Sequence, residues 1–255
     1  MHLFDSHCHL DVEEFDTDRA QVLHTARAAG VAELLIPAVK RDTWQSLLDF
    51  CAGDDRLYPA LGLHPVYLSE HRLADVDALA EAVARVRPVA IGEIGLDWYV
   101  RELDRERQQQ LFEAQLTVAE ANRLPVILHV RKAHDAMLQT LRRFDLCGGI
   151  CHAFNGSEQQ ASQYIDKGFC LGLGGMITFE RSTRLRRLAI QLPLDSIVLE
   201  TDAPDMTVAS HRFERNSPAY LPEVCTTLAT LRKMDPADIA DQTTRNARRV
   251  LSLVD

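Results

Sequence analysis

His7 and His9 stand two residues apart in the segment LFDSHCH. In extended backbone alternate side chains share a face, so both imidazoles would point one way and Cys8 the other. Such a pair can grip one metal ion, although alone it reads equally as two core or surface histidines. Glu93 lies in IGEIGLD, inside an apolar run and between Gly92 and Gly95, which permit close backbone approach. A lone carboxylate there would cost several kcal/mol to bury unless a cation or another partner meets it. His129 falls in PVILHV, His152 in GICHAF, and Asp202 closes SIVLETD. Each could be a satisfied core residue if taken singly. Together, six imidazole and carboxylate donors suit zinc, manganese, iron or cobalt better than calcium, and they are too many for one open catalytic ion. The expectation is a two-metal site, with Glu93, the central carboxylate, bridging two divalent ions (Zn, Mn, Mg or Co).

These residues can meet only if the fold brings the ends of distant apolar runs together. Runs rich in Val, Ile and Leu occur at 3–9, 33–39, 57–63, 89–96, 125–130, 149–154, 169–175 and 196–202, alternating with stretches of helical periodicity. In RERQQQLFEAQLTVAEANR, Leu111, Gln115 and Val118 beside Phe112, Leu116 and Ala119 form an amphipathic stripe. Near-continuous apolar strands alternating with helices predict a parallel sheet covered on its outside. The 255 residues match the roughly 250 of an eightfold α/β barrel. The expected fold is therefore α/β, a single (β/α)8 TIM-type barrel spanning residues 1–255 as one domain. A doubly wound open sheet is the alternative that periodicity leaves open. The six candidate ligands share the C-terminal ends of the predicted strands, where barrels of this type carry active sites. After the last run, one helix beginning near Pro218 and another with Asp235 as N-cap and Pro236 at its first position would complete and cap the barrel.

Composition limits the partners. Lys and Arg total 28 against 37 Asp and Glu, a formal charge of -9, which excludes a broad basic footprint for duplex nucleic acid. Two divalent ions against two carboxylates would still leave one cleft locally positive. Arg181, Arg184, Arg186 and Arg187 could extend that field or form a solvated helix face. Six cysteines without a CxxC pair make no disulfide framework. MHLFDSHCHLD lacks the apolar core of a signal peptide, and no apolar run approaches the roughly 18 residues of a membrane span. A cytoplasmic monomer without membrane contact is expected, and no motif for a protein partner is evident.

The strings DSHCHLD, GLHP, GEIGLD, LHVRKAHD, HAFNGS, ETDAP and RNSPAYLPEV closely resemble, in order, those of the TatD family of metal-dependent hydrolases and deoxyribonucleases, within the amidohydrolase-like barrels and nearest its YjjV-like branch. The resemblance runs from residue 3 to about residue 250. It implies a barrel fold, a divalent two-metal site and hydrolysis of phosphodiesters. It further implies that His7, His9, Glu93 and Asp202 hold one ion while Glu93, His129 and His152 hold the other. Some features depart from the family pattern: Asp205 and Met206 follow the ETDAP string, TVASHRFERNSP lacks a compact basic run, and Ala153 stands where a cysteine is common. These changes leave the ligands alone and bear on the substrate.

The mechanism expected is attack by a metal-activated water on a phosphoryl centre, with Asp202 as general base or, alternatively, only a ligand. Arg131, two residues after His129, is a candidate phosphate contact, with a structural salt bridge as the competing reading. His64 could donate to a phosphate or a leaving group. Asn155, Gly156 and Ser157 could receive an anion at a helix start or make an ordinary N-cap, and Trp98 and Tyr99 could stack on a nucleobase or pack at the loop base. The substrate expected is a nucleic-acid end or a small phosphoester, cleaved exonuclease-like. Hydrolysis of another ester or an amide is the alternative.

Overall fold

A computed structural model describes residues 1–253. Eight parallel strands follow one another in chain order: β1 (Leu3–Asp5), β2 (Val31–Pro37), β3 (Leu57–Leu61), β4 (Ala90–Asp97), β5 (Val126–Arg131), β6 (Gly149–Cys151), β7 (Phe169–Leu173) and β8 (Ile197–Leu199). Helices separate them: α1 (Arg19–Ala28), α2 (Trp44–Cys51), α3 (Ala74–Val86), α4 (Arg105–Asn122), α5 (His134–Leu141), α6 (Glu158–Ile165) and α7 (Thr183–Gln191). The seam between β8 and β1 is closed just beyond the paired ladders. There Ser6 N–H donates to Leu199 O (2.9 Å), Asp202 N–H to His7 O (2.8 Å) and His9 N–H to Ala203 O (2.8 Å). The sheet is thus a nearly closed barrel, and the open doubly wound alternative does not hold.

One side chain from each strand fills the lumen: Phe4, Leu35, Ala60, Ala90, Ile127, Ile150, Cys170 and Val198 form one buried cluster. Ala247, Val250 and Leu251 plug that cluster from one end. They come from α9 (Pro236–Val250) and its C-terminal cap, which packs against β1 and β8. Asp235 caps α9 as expected, accepting from Ala237 N–H at 2.7 Å. The helix near Pro218 starts as a short 3-10 turn and continues as α8 (Leu221–Arg232). With one end of the lumen filled by apolar side chains, the polar residues gather at the other.

Each of the eight apolar runs overlaps a strand, but six of them extend past its C-terminal end. β1 stops at Asp5, so His7 and His9 follow the strand and do not lie in it; His64, His152 and Asp202 likewise lie past β3, β6 and β8. His129, expected to end its strand, is followed by two more residues of β5. These segments read as strand because they are still tied to their neighbours. Cys8 N–H donates to Leu35 O, His64 N–H to Val39 O, Glu93 N–H to Ala38 O and His152 N–H to Leu128 O, at 3.0–3.1 Å. Isolated bonds of this kind extend the barrel rim without forming a ladder, and they hold the site residues.

β4 is buried along its whole length. Its register against β5 shifts between Ile91 and Ile94, the stretch that contains Glu93. The flanking glycines are required: a Cβ on Gly92 would lie 2.5 Å from the Ile127 Cβ, and one on Gly95, at φ +149°, would lie 2.0 Å from His129 O. Cys8, Cys51, Cys151, Cys170 and Cys225 are buried, Cys147 is exposed, and all six are free. No helix among the described residues is long and apolar enough to cross a membrane.

Candidate metal centre

The six expected ligands converge on one place. Glu93 is at the middle of it, 1% exposed, with its two carboxylate oxygens in different company. Oε2 lies 3.1 Å from His7 Nε2 and 3.3 Å from His9 Nε2, and these nitrogens are 3.6 and 3.7 Å from Asp202 Oδ1. Oε1 lies 2.8 Å from His129 Nδ1, 2.9 Å from His152 Nε2 and 3.2 Å from His64 Nε2. A tetrahedral ion with bonds of about 2.0–2.1 Å sets neighbouring ligand atoms roughly 3.3 Å apart, so both groups have the spacing of coordination edges. Among the described residues three overlapping sets could hold a metal: His7, Glu93 and His152; His7, His9 and Asp202; His64, Glu93 and His129.

Hydrogen bonding on the far side of each ring decides which imidazoles offer a lone pair. His9 Nδ1 is 3.1 Å from Pro37 O, which can only accept, so Nδ1 keeps a proton and Nε2, facing the cavity, is the atom whose lone pair is freed when the ring is neutral. His129 Nε2 is 3.0 Å from Asp97 Oδ2, so Nδ1, facing Glu93, is the atom whose lone pair is freed when the ring is neutral. His64 is the reverse case. Its Nδ1 accepts from Val66 N–H at 3.1 Å, so the neutral ring carries its proton on Nε2, the atom aimed at Glu93. Burial pushes His64 down to about 4, and it is therefore a neutral N–H donor near pH 7. It joins the ligand cluster in space but presents a proton to it.

The sequence model of the family described as TatD related DNase matches residues 4–252. The chain belongs to that family. It is a metal-dependent hydrolase, 40% identical over 237 residues to the metal-dependent hydrolase YjjV of Escherichia coli K12, covering 92% of this chain and 91% of the relative. The crystal structure of YjjV superposes with a TM-score of 0.95 at 37% identity, covering 99% and 98% of the two chains. A protein of Salmonella typhimurium named 3'-5' ssDNA/RNA exonuclease TatD is 33% identical over 260 residues, covering 99% of this chain and all of the relative.

Sequence reasoning missed several residues around this TatD-family centre. Asp97 is fully buried, and each of its oxygens has two partners: Oδ2 meets His129 Nε2 and Arg131 Nη1 (3.2 Å), while Oδ1 accepts from Tyr99 N–H and Val100 N–H. Burial alone would raise its carboxyl, but these donors, His129 first, bring it down to about 2. Gln108 and Gln115, both buried on α4, use their amides to bridge N–H and C=O of Asp97 and of Leu63, so one helix fixes the backbone beside two site residues. Glu200 accepts from Ala153 N–H (2.5 Å), and burial pushes its carboxyl up to about 8. Asp97→Asn is expected to weaken metal binding about 10- to 100-fold with the fold intact, because His129 loses its orienting anion. Metal titration of the variant beside its circular dichroism checks this, and unchanged affinity would remove Asp97 from the account.

The remaining candidates divide. Arg131 makes its salt bridge to Asp97 and leaves its side chain 44% exposed. Ser157 forms a capping box with Gln160, so two of the amides that an anion at this helix start would use are already engaged. Of the arginines after β7, Arg184 donates to Gly156 O and Arg186 to Ile177 O, tying the helix to its neighbours. Trp98 is half-buried beneath Arg105, whereas Tyr99 is 55% exposed.

Electrostatics set a pH dependence. Burial would lower His9 and His152, but Glu93 carries them up to about 9 and about 10 before an ion binds. Burial would likewise raise Glu93, yet the surrounding imidazoles hold it well below the usual carboxylate range. Near neutrality an ion must displace the His9 and His152 protons, so metal affinity is expected to rise with pH, by up to about tenfold per proton per unit. Calorimetric titration in buffers of different ionisation enthalpy counts those protons. Affinity flat between about pH 6 and about pH 8 would contradict the assignment.

Proposed function

We propose that this chain is a two-ion phosphodiesterase that shortens single-stranded nucleic acid from an end. The observation that carries the reading is the division of labour at Glu93, whose Oε2 faces His7 and His9, the pair that Asp202 also approaches, while its Oε1 faces His129, His152 and the His64 N–H. A carboxylate so placed can bridge two divalent ions. Bound there, such ions supply an activated water and neutralise charge on a phosphoryl group. The relative named as an exonuclease supports the choice of nucleic acid as substrate class.

The chain's own residues supply the rest. Asp202 is 14% exposed at its side chain, against 0–1% for His7 and Glu93, and so borders the open side of the site. Burial raises its carboxyl, the direction that improves a general base, and we assign it to take the proton of the attacking water. Its backbone sits at φ 58°, a left-handed conformation sparsely used by non-glycine residues and held here between β8 and the capping segment. His64, neutral with Nε2–H facing inward, donates to a phosphoryl oxygen. Arg131, partly exposed beside His129, contacts the next phosphate.

An activity panel tests the function. Single-stranded DNA and RNA labelled at the 3' or the 5' end, nitrophenyl phosphodiesters and carboxylic esters are each offered with Mg, Mn, Co or Zn. A ladder of products shortened from one end supports the reading. Brisk turnover of carboxylic esters with every nucleic acid intact overturns it in favour of a different hydrolase.

A further inference from the structure

Tyr99 stands on the segment after β4 with more than half its surface open to solvent. Two cations lie over its ring: the Arg131 guanidinium carbon at 4.2 Å from the centroid and the Lys132 ammonium at 5.1 Å. The Lys132 backbone is left-handed, with φ at 55°, which is uncommon for a non-glycine residue. A single buried carboxylate ties this group to the metal centre. Asp97 Oδ1 accepts from Tyr99 N–H at 2.9 Å, while Asp97 Oδ2 bonds both Arg131 Nη1 and the ring of His129, which itself touches Glu93. The Tyr99 backbone and the Arg131 side chain are therefore both anchored on Asp97, one carboxylate away from His129, with Lys132 next to Arg131 in the chain. What sets this ring apart is its place: an open aromatic surface and two cations lie together at the rim of a hydrolytic site.

We infer that Tyr99, Arg131 and Lys132 form a nucleotide subsite, in which a base of a single strand stacks on Tyr99 and its neighbouring phosphates meet the two cations. This rests on the phosphodiesterase reading and names how that site holds its substrate. Flat bases of any identity fit such a platform, so the subsite confers preference for base-bearing single strands without sequence choice. Duplex is disfavoured because its bases already stack on one another.

The test uses the metal-loaded protein and an eight-nucleotide fluorescent thymidine strand with phosphorothioate linkages, which resist cleavage, beside the same strand with abasic residues. Binding is read by anisotropy. Tyr99→Ala is expected to weaken binding of the base-bearing strand about tenfold, the scale of one base–aromatic stack, and to leave the abasic strand, already weak, no weaker. Tyr99→Phe is expected to restore binding. Equal affinity of the wild type for both strands, no loss in Tyr99→Ala, or the same loss on both strands would each overturn the subsite. Cleavage of the ordinary phosphodiester strand is scored separately. If the binding pattern holds and the strand stays intact, the hydrolytic reading fails while the subsite stands.

Discussion

Glu93→Gln is expected to lose both ions together and to reduce turnover by at least about a thousandfold, since the ions supply several kcal/mol of transition-state stabilisation. The amide keeps the shape of the carboxylate but removes its charge, and its NH2 group presents protons to one of the two ligand groups. Because Oε1 and Oε2 serve different imidazoles, a defect in this one side chain reaches both groups at once. The substitution also removes the largest of the anionic contributions that raise His9 and His152, leaving Asp202 beside them, so both rings are expected to lose their protons at lower pH in the variant. Metal analysis after gel filtration, with circular dichroism as a control for folding, measures the effect. A folded Glu93→Gln protein that retained two ions and wild-type turnover would show that Glu93 bridges nothing.

The second large effect separates chemistry from binding. Asp202→Asn is expected to retain metal and to lose about 10²- to 10⁴-fold in kcat, the range associated with loss of a general base. Three donors, His7, His9 and Glu93, remain around the same point in the variant, and asparagine still offers a carbonyl oxygen. Asparagine also tolerates the left-handed backbone at this position, so the change should not disturb the local fold. Near-wild-type kcat with full metal content would reduce Asp202 to a ligand. Loss of metal in proportion to activity would do the same.

Much of this was legible in the sequence, because a parallel barrel strand is buried on both sides and writes itself as a short apolar run. The same logic made Glu93, His129 and Asp202 conspicuous as polar residues in apolar surroundings. It could also have found Asp97, four residues after Glu93 in a strand without an exposed residue. Asp97 lies one residue past the apolar run at 89–96, so the run alone does not mark it. Gln108 and Gln115 occupy buried helical positions seven apart, where apolar residues would serve packing, and that substitution of type is a signal for backbone-bridging amides. Other features could not be read. Strand ends were misplaced because rim segments continue in extended form beyond the paired ladder, as at His7 and His152. The tautomer of His64 depends on where Val66 N–H points, and closure of the seam depends on a few bonds between residues nearly two hundred positions apart.

The central claim is that one carboxylate organises two ions, and the most direct measurement is the number of divalent ions bound per chain by the purified protein after saturation with manganese, read by elemental analysis against protein concentration. The account predicts two ions per chain in the wild type and none in Glu93→Gln. One ion per chain in the saturated wild type would contradict it.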